Sequence, residues 1–180
     1  MLEDLGVAAP DRVQYQPSGN TWLWRALRGM SVSSEDVFVD YGAGKGRVLL
    51  QAALRYPFRR VVGVEISEEL AQIARSNVQS LSNRFRGAEV EIIVADASKW
   101  PLPDDVTYVY MYRPVKGQVF EQTIERIEES LRRKPRKLTL AYAYPEQEEV
   151  LLARGFRRIR ESRGFQSLPH YTVSVYVHDP

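Results

Sequence analysis

Apolar and polar positions along this chain follow two rhythms, one of period two and one near 3.6 residues. Short apolar runs at 36–41 (DVFVDY), 60–66 (RVVGVEI), 90–96 (VEIIVAD), 106–112 (VTYVYMY) and 137–144 (KLTLAYAY) have the length and the β-branched or aromatic content of strands. Amphipathic segments separate them. The run 46–56 (GRVLLQAALRY) predicts a helix that stops before Pro57, because a residue preceding proline resists helical geometry. Ser67 is placed to cap a helix over 68–81, with Glu68 and Glu69 in its first turn, where the helix dipole favours anions. A long amphipathic stretch at 118–133 predicts another helix, and 146–155 a short one closed by Gly155. A further helix is expected within 18–29 (SGNTWLWRALRG), with Trp22, Leu23, Ala26 and Leu27 on its apolar face.

After Gly155 the rhythm changes. FRRIRES (156–162) and YTVSVYV (171–177) are separated only by the loop RGFQSLPH, and strands joined without a helix pair antiparallel. The pattern predicts an α/β fold: a doubly wound, mainly parallel seven-stranded sheet with helices on both faces. A C-terminal antiparallel β-hairpin supplies one reversed edge strand. No repeat, low-complexity tract or linker divides the chain. One domain is therefore expected over 1–180, with 1–31 as a helical lid segment ahead of a core at 36–180.

Composition narrows the function only a little. Hydrophobic content of 44% and charged content of 27% are ordinary for a soluble globular protein. The net charge of +2 is too weak for a dedicated nucleic-acid binder, although arginine runs near 55–60, 132–137 and 154–163 offer a local basic patch. The chain has no cysteine, which excludes disulfides and thiolate metal sites and suits a reducing cytoplasm. Its two histidines, His170 and His178, are too few for a metal centre, so no metal is expected. The opening MLEDLGVAAP lacks the features of an export signal, and no stretch reaches the ~18 apolar residues of a membrane span. A cytoplasmic protein without membrane contact is the expectation.

The candidate chemistry lies in VDYGAGKGRV (39–48), directly after the first strand. In open α/β sheets ligands bind beyond the C-terminal strand ends, so this loop is the expected site. A triphosphate loop needs Gly-Lys followed by Ser or Thr, whose hydroxyl ligates magnesium. Here Gly44 and Lys45 are followed by Gly46 and Arg47, and that reading fails. A dinucleotide loop wants its third glycine at 47, where Arg47 stands; that reading is weakened and stays open. The spacing present is D-x-G-x-G-x-G, from Asp40 to Gly46.

That spacing, with Glu65 after the second strand (GVEIS), Asp96 after the third (VADAS) and the terminal hairpin, resembles the Rossmann-like methyltransferases that use S-adenosylmethionine. The resemblance runs along nearly the whole chain. It implies that Asp40, Tyr41, Gly42, Ala43, Gly44 and Gly46 meet the methionine portion of the cofactor, which leaves as S-adenosylhomocysteine. It further implies that Glu65 holds the ribose hydroxyls, with Ile66 beside it, and that Asp96 and Ala97 serve the adenine. A carboxylate suits a ribose diol, since it accepts both hydroxyl protons and repels a phosphorylated sugar. More specifically, VFVDYGAGKGRVLLQAAL followed by VVGVEISEELAQIA resembles the non-SET lysine methyltransferases of the disruptor-of-telomeric-silencing type and related bacterial proteins. YQPS (15–18) resembles the short loop that folds over the cofactor there, which implies that Tyr15 and Ser18 touch the methionine end.

One departure bears on the acceptor. Those enzymes carry an Asn-containing motif after the fourth strand, whereas this chain reads YMYRPVKG with Arg113 at that place. An arginine accepts no hydrogen bond from an amine and repels an ammonium, but it clamps a carboxylate or phosphate. Tyr41, Tyr110, Tyr112, Tyr142 and Tyr144 fall near predicted strand ends, and Trp22 and Trp24 in the N-terminal segment. Such rings suit a planar or apolar ligand, and in central strands they are also ordinary core. The expected acceptor is therefore a small molecule, aromatic or anionic, methylated on oxygen or nitrogen, rather than a histone lysine. Protein or nucleic-acid methylation, and adenosyl-ligand binding without methyl transfer, are the alternatives. Positioning supplies much of the rate when the methyl group is already activated, so no general base is assigned. Tyr15, Tyr112 and Arg113 are the candidates for handling the acceptor.

Overall fold

The structure, a computed structural model, describes residues 19, 21–112, 116–163 and 172–180. Its strands are β1 (Val37–Tyr41), β2 (Arg60–Glu65), β3 (Glu89–Val94), β4 (Tyr108–Tyr112), β5 (Leu138–Ala143), β6 (Arg157–Ser162) and β7 (Val173–His178). The helices are α1 (Trp22–Leu27), α2 (Arg47–Arg55), α3 (Glu68–Leu81), α4 (Gly117–Arg133) and α5 (Glu148–Ala153). The strands form one seven-stranded sheet in the order β3-β2-β1-β4-β5-β7-β6. β1 to β5 pair in parallel, and β7 runs antiparallel to both β5 and β6.

This arrangement corrects one expectation. The reversed strand is β7, which lies inside the sheet, and the edge belongs to β6. Composition explains the swap: Val173 to Val177 of β7 are all buried, whereas β6 exposes Arg157, Arg158 and Ile159. An apolar strand gains most by lying between two others, and a charged strand blunts an open edge. β3 closes the opposite edge with Glu89 and Glu91 exposed.

Period-two alternation divides the core between two faces. Val37, Val39, Val109, Met111 and Leu140 pack with Phe120, Ile124, Ile127 and Leu131 of α4 and Leu151 of α5. Phe38, Val61, Tyr110, Ala141 and Val173 pack on the other side with Trp22, Leu23 and Ala26 of α1 and Leu49 and Ala52 of α2. Gly63, within β2, lets α2 sit low: a Cβ there would lie 2.6 Å from Leu49 Cδ1 and 2.9 Å from Ala43 Cβ.

The arginine runs are largely consumed within the fold. Arg59 and Arg60 share Asp105 at 2.8 and 2.7 Å, Arg133 meets Asp104 at 2.7 Å, Arg154 meets Glu128 at 2.5 Å and Arg158 meets Glu148 at 2.8 Å. Arg136 donates to the carbonyls of Val106 at 2.6 Å, Ser130 at 3.1 Å and Lys134 at 2.9 Å. These arginines therefore serve the fold's own acids and carbonyls. Among the described residues no helix is long and apolar enough to cross a membrane.

Candidate active site

β1 is flanked by β2 on one side and β4 on the other, so the chain reverses its direction of winding there and a crevice opens beyond the strand ends. The turn from Gly42 to Gly46 occupies that crevice. Gly42, Gly44 and Gly46 have φ of 75°, 55° and 81°, a left-handed backbone that a Cβ makes costly. The N–H groups of Gly42 and Ala43 both donate to the Val64 carbonyl, at 2.9 and 3.1 Å. The Gly44 N–H turns instead to Glu65, reaching Oε2 at 2.8 Å.

Glu65 is a buried carboxylate with two main-chain donors. Its Oε1 accepts from the Ser67 N–H at 2.9 Å, and Ser67 Oγ accepts from Leu70 N at 3.3 Å to cap α3. The side chain thus ties the glycine turn to the start of the next helix. One lone pair on each oxygen is engaged, and the others remain for a ligand hydroxyl. From behind, α3 buttresses the turn: Asn77 Nδ2 donates to the Lys45 carbonyl at 2.9 Å, and a Cβ on Gly46 would lie 3.2 Å from Ala74 Cβ.

Asp40 is in register with Gly63 of β2 and Tyr110 of β4, and alternation turns its side chain toward α1 and α2. It is 3% exposed, and no donor among the described residues reaches its carboxylate. Burial, reinforced by the nearby Glu65, holds its carboxyl well above the ordinary carboxylate range. Ionising a carboxyl buried this deeply is costly, and a cationic ligand would relieve that cost.

The aromatic residues divide. Tyr41 faces the α4 side, 1% exposed and edge-on to Trp100 at 5.9 Å, so only its main chain joins the turn. Burial pushes its phenol up, and its enclosed hydroxyl meets no partner among the described residues. Tyr110 is core, and Tyr142 stacks on Phe120 at 5.4 Å. Tyr112 and Tyr144 alone of the five stand half-buried at the strand ends. Tyr144 has φ of 58° and is the one non-glycine residue with positive φ among the described residues, a strain of the kind that gathers at functional sites. Trp22 is buried against Tyr112, ring centroids 4.6 Å apart, whereas Trp24 is 44% exposed beneath the Arg28 guanidinium.

On the far side, β3 ends at Val94, two residues before Asp96. Ala95 N donates to the Glu65 carbonyl at 3.0 Å, which carries the chain past β2. Asp96 Oδ1 accepts from Ser98 N at 3.1 Å and Ser98 Oγ at 2.8 Å, folding a local turn. Asp96, Ala97 and Ile66 are half-buried. The fold therefore brings Asp40, Gly42, Ala43, Gly44, Gly46, Glu65, Ile66, Asp96 and Ala97 together across the ends of β1, β2 and β3. Tyr15, Ser18, Arg113 and His170 lie outside the described residues. Sequence reasoning missed Gly63, Ala74 and Asn77, which seat the turn from behind. Only Gly63 left a signal, as a glycine in mid-strand. Among the described residues no group of three or more His, Cys, Asp or Glu could hold a metal.

Comparison with known proteins agrees with this geometry. A methyltransferase-domain family model matches residues 38–134, more than half of the chain. A curated protein-lysine N-methyltransferase of Saccharolobus islandicus is 31% identical over 91 residues, covering 48% of this chain and 56% of that protein. The histone H3 lysine-79-specific N-methyltransferase of Drosophila melanogaster is 32% identical over 83 residues, 41% of this chain and 4% of that protein. The chain thus spans about half the length of the first relative and a small part of the second. Among solved structures, an RNA methyltransferase from Salinibacter ruber in complex with S-adenosyl-L-homocysteine shares the fold. Its TM-score is 0.62 at 20% identity, covering 91% of this chain and 92% of that one. The glycine turn anchored on Glu65, the seven-stranded sheet with its inserted β7 and the family match lead to one conclusion: the chain belongs to the methyltransferase-domain family.

Proposed function

We propose that this chain holds S-adenosylmethionine across the ends of β1, β2 and β3 and methylates oxygen or nitrogen of a small acceptor seated beyond β4 and β5. The observation that carries the reading is the buried Asp40 carboxylate, without a donor among the described residues, beside a turn hung on Glu65. A ligand with a cationic end and a ribose diol answers both groups. When bound, the cofactor supplies a methyl group already activated by positive sulfur. Asp40 faces the cationic methionine end, over a floor made by Gly42, Ala43, Gly44, Gly46 and the main chain of Tyr41. The unused lone pairs of Glu65 accept the ribose hydroxyls, and Ile66, Asp96 and Ala97 flank the adenine. Tyr15 and Ser18 close over the methionine end, within a lid segment at 1–31 of a single 1–180 domain.

The acceptor is read from residues around the loop after β4. Arg113 clamps an anionic group of the acceptor, and Tyr112 positions its nucleophile. The Lys116–Glu146 ion pair, 3.0 Å, joins the start of α4 to the segment after β5 and supports the outer wall. A second reading, methylation of a protein amine, is favoured by the two lysine methyltransferase relatives.

Calorimetric titration with S-adenosylhomocysteine, with NADH and ATP as controls, tests the cofactor. Transfer of radiolabelled methyl to small phenols, amines and carboxylated or phosphorylated acceptors, run beside peptides and whole proteins, tests the acceptor. Arg113→Ala is expected to leave S-adenosylhomocysteine binding intact and to abolish transfer to anionic small molecules. Label on protein amines alone would replace the small-molecule reading with the second one.

A further inference from the structure

Helix α1 has only six residues, too few to be stable alone, so its position is set by what grips it. Its first residue is held tightly. The Trp22 indole stands edge-on to Tyr112, and the backbone of Gly19 lies against the same indole: a Cβ on Gly19 would be 2.8 Å from Nε1. At the other end the grip comes from the edge strand. Arg160 of β6 donates to the carbonyl of Ala26 at 3.2 Å and to that of Arg28, just after the helix. In the reverse direction, Arg25 of α1 donates through Nε to Ser162 Oγ at 3.1 Å and through Nη2 to the Ser162 carbonyl. Two guanidinium groups therefore cross between β6 and α1, Arg25 through two nitrogens of its fork and Arg160 through Nη1 alone, linking residues 132 to 137 positions apart in sequence. A planar fork holds two acceptors in fixed geometry, which a lysine does less well.

The sheet order says which end of a ligand this helix meets. Asp96 follows β3, Glu65 ends β2, and the glycine turn follows β1. Tyr112 and α1 stand one strand further along, on the same face as Asp40. They adjoin the end of the ligand opposite the adenine.

We propose that Arg160, Arg25 and Ser162 form a clamp through which β6 positions α1, so that Trp22 and Tyr112 make the wall for the amino-acid arm of S-adenosylmethionine. The inference rests on the cofactor reading above. Arg160 is a positioning residue: it acts through α1 and touches no ligand.

Two ligands separate the ends. S-adenosylhomocysteine carries the amino-acid arm, whereas 5′-methylthioadenosine keeps adenine, ribose and sulfur without it. In calorimetric titrations of the full chain, Arg160→Ala is expected to weaken S-adenosylhomocysteine by about fivefold or more and to leave 5′-methylthioadenosine within about twofold. Gly19→Val, which pushes on the indole from the opposite side, is expected to give the same split. Arg160→Lys should recover part of the loss. Ser162→Ala, a milder change, carries the test if Arg160→Ala does not fold. Equal weakening of both ligands, or no change in either, overturns the clamp. If the unaltered chain binds neither ligand, the cofactor reading falls first and the clamp falls with it.

Discussion

Replacing Glu65 by glutamine changes one atom and tests the centre of the site. In the native structure both carboxylate oxygens accept a main-chain N–H, from Gly44 at 2.8 Å and Ser67 at 2.9 Å, and the residue is 7% exposed. A glutamine keeps one acceptor and turns a donor toward the other N–H. The amide left facing it loses a charge-assisted bond and stays buried, a cost of about 1–3 kcal/mol. The retained bond becomes neutral and weakens by roughly 1 kcal/mol. Together these changes cost at least about 2 kcal/mol. For a domain of this size that lowers Tm by roughly 4–8 °C.

On the proposed reading the same carboxylate serves the ligand. Loss of a charged acceptor for a ribose hydroxyl costs about 1.5–3 kcal/mol, a roughly ten- to hundredfold weaker Kd for S-adenosylhomocysteine. Thermal denaturation and calorimetry on one preparation read both effects. Glu68→Gln is the control, since Glu68 is exposed in the first turn of α3 and pairs there with Arg75; its effect should stay within about 0.5 kcal/mol. A Glu65→Gln variant with native Tm would refute the anchoring role, and one with native affinity would refute the ribose role. The two failures are independent.

Three further outcomes follow from the same geometry. Asp40 has a carboxyl raised above its unfolded value, so it contributes stability at low pH that is lost as pH climbs from the ordinary carboxylate range through the raised value. Asp40→Asn should flatten that part of the urea-stability profile and abolish the proton release that calorimetry in buffers of different ionisation enthalpy detects when S-adenosylmethionine binds. Gly63→Ala should cost about 1–3 kcal/mol and weaken S-adenosylhomocysteine, because the new methyl group pushes on Leu49 and on Ala43 of the turn. Arg136→Met should cost about 2–3 kcal/mol in urea denaturation while leaving ligand affinity unchanged, because its carbonyl partners lie before β4, in the last turn of α4 and just after it, at the opposite end of the sheet.

Much of the fold was legible because its signals are local. The Val-rich runs that became β1 and β2 carry their period within a few residues, and the Ser67 cap with two acids behind it is a complete helix start in three positions. The error at the C terminus arose where a local signal stops. A hairpin fixes which strands pair but not which of them meets the rest of the sheet. The difference lay in residue type, since Val173, Val175 and Val177 want two neighbours and the arginines of β6 do not. Boundaries were loose for the same reason: β3 stops at Val94 because Asp96 folds back on Ser98, a bond that only the turn reveals.

The site divides along the same line. Its cofactor half is made largely of main chain and of side chains that serve their own neighbourhood: three glycines in alternation, a carboxylate at a strand end, an Asx turn. Each sits in a contiguous motif, so D-x-G-x-G-x-G and GVEIS were readable before any coordinates. The proposed acceptor half is assembled from segments far apart in sequence. Tyr112 ends β4, and Lys116 reaches Glu146 across β5. None of these residue types announces its partner, and tyrosine in a strand reads equally as core, which is what Tyr41, Tyr110 and Tyr142 proved to be. A fold that fixes its cofactor through short contiguous motifs is free to change its acceptor by altering a few separated residues. On the proposed reading, Arg113 in place of the expected Asn is one such alteration. The clamp from β6 to α1 extends the same logic, since a remote edge strand then tunes the wall of the site without entering it.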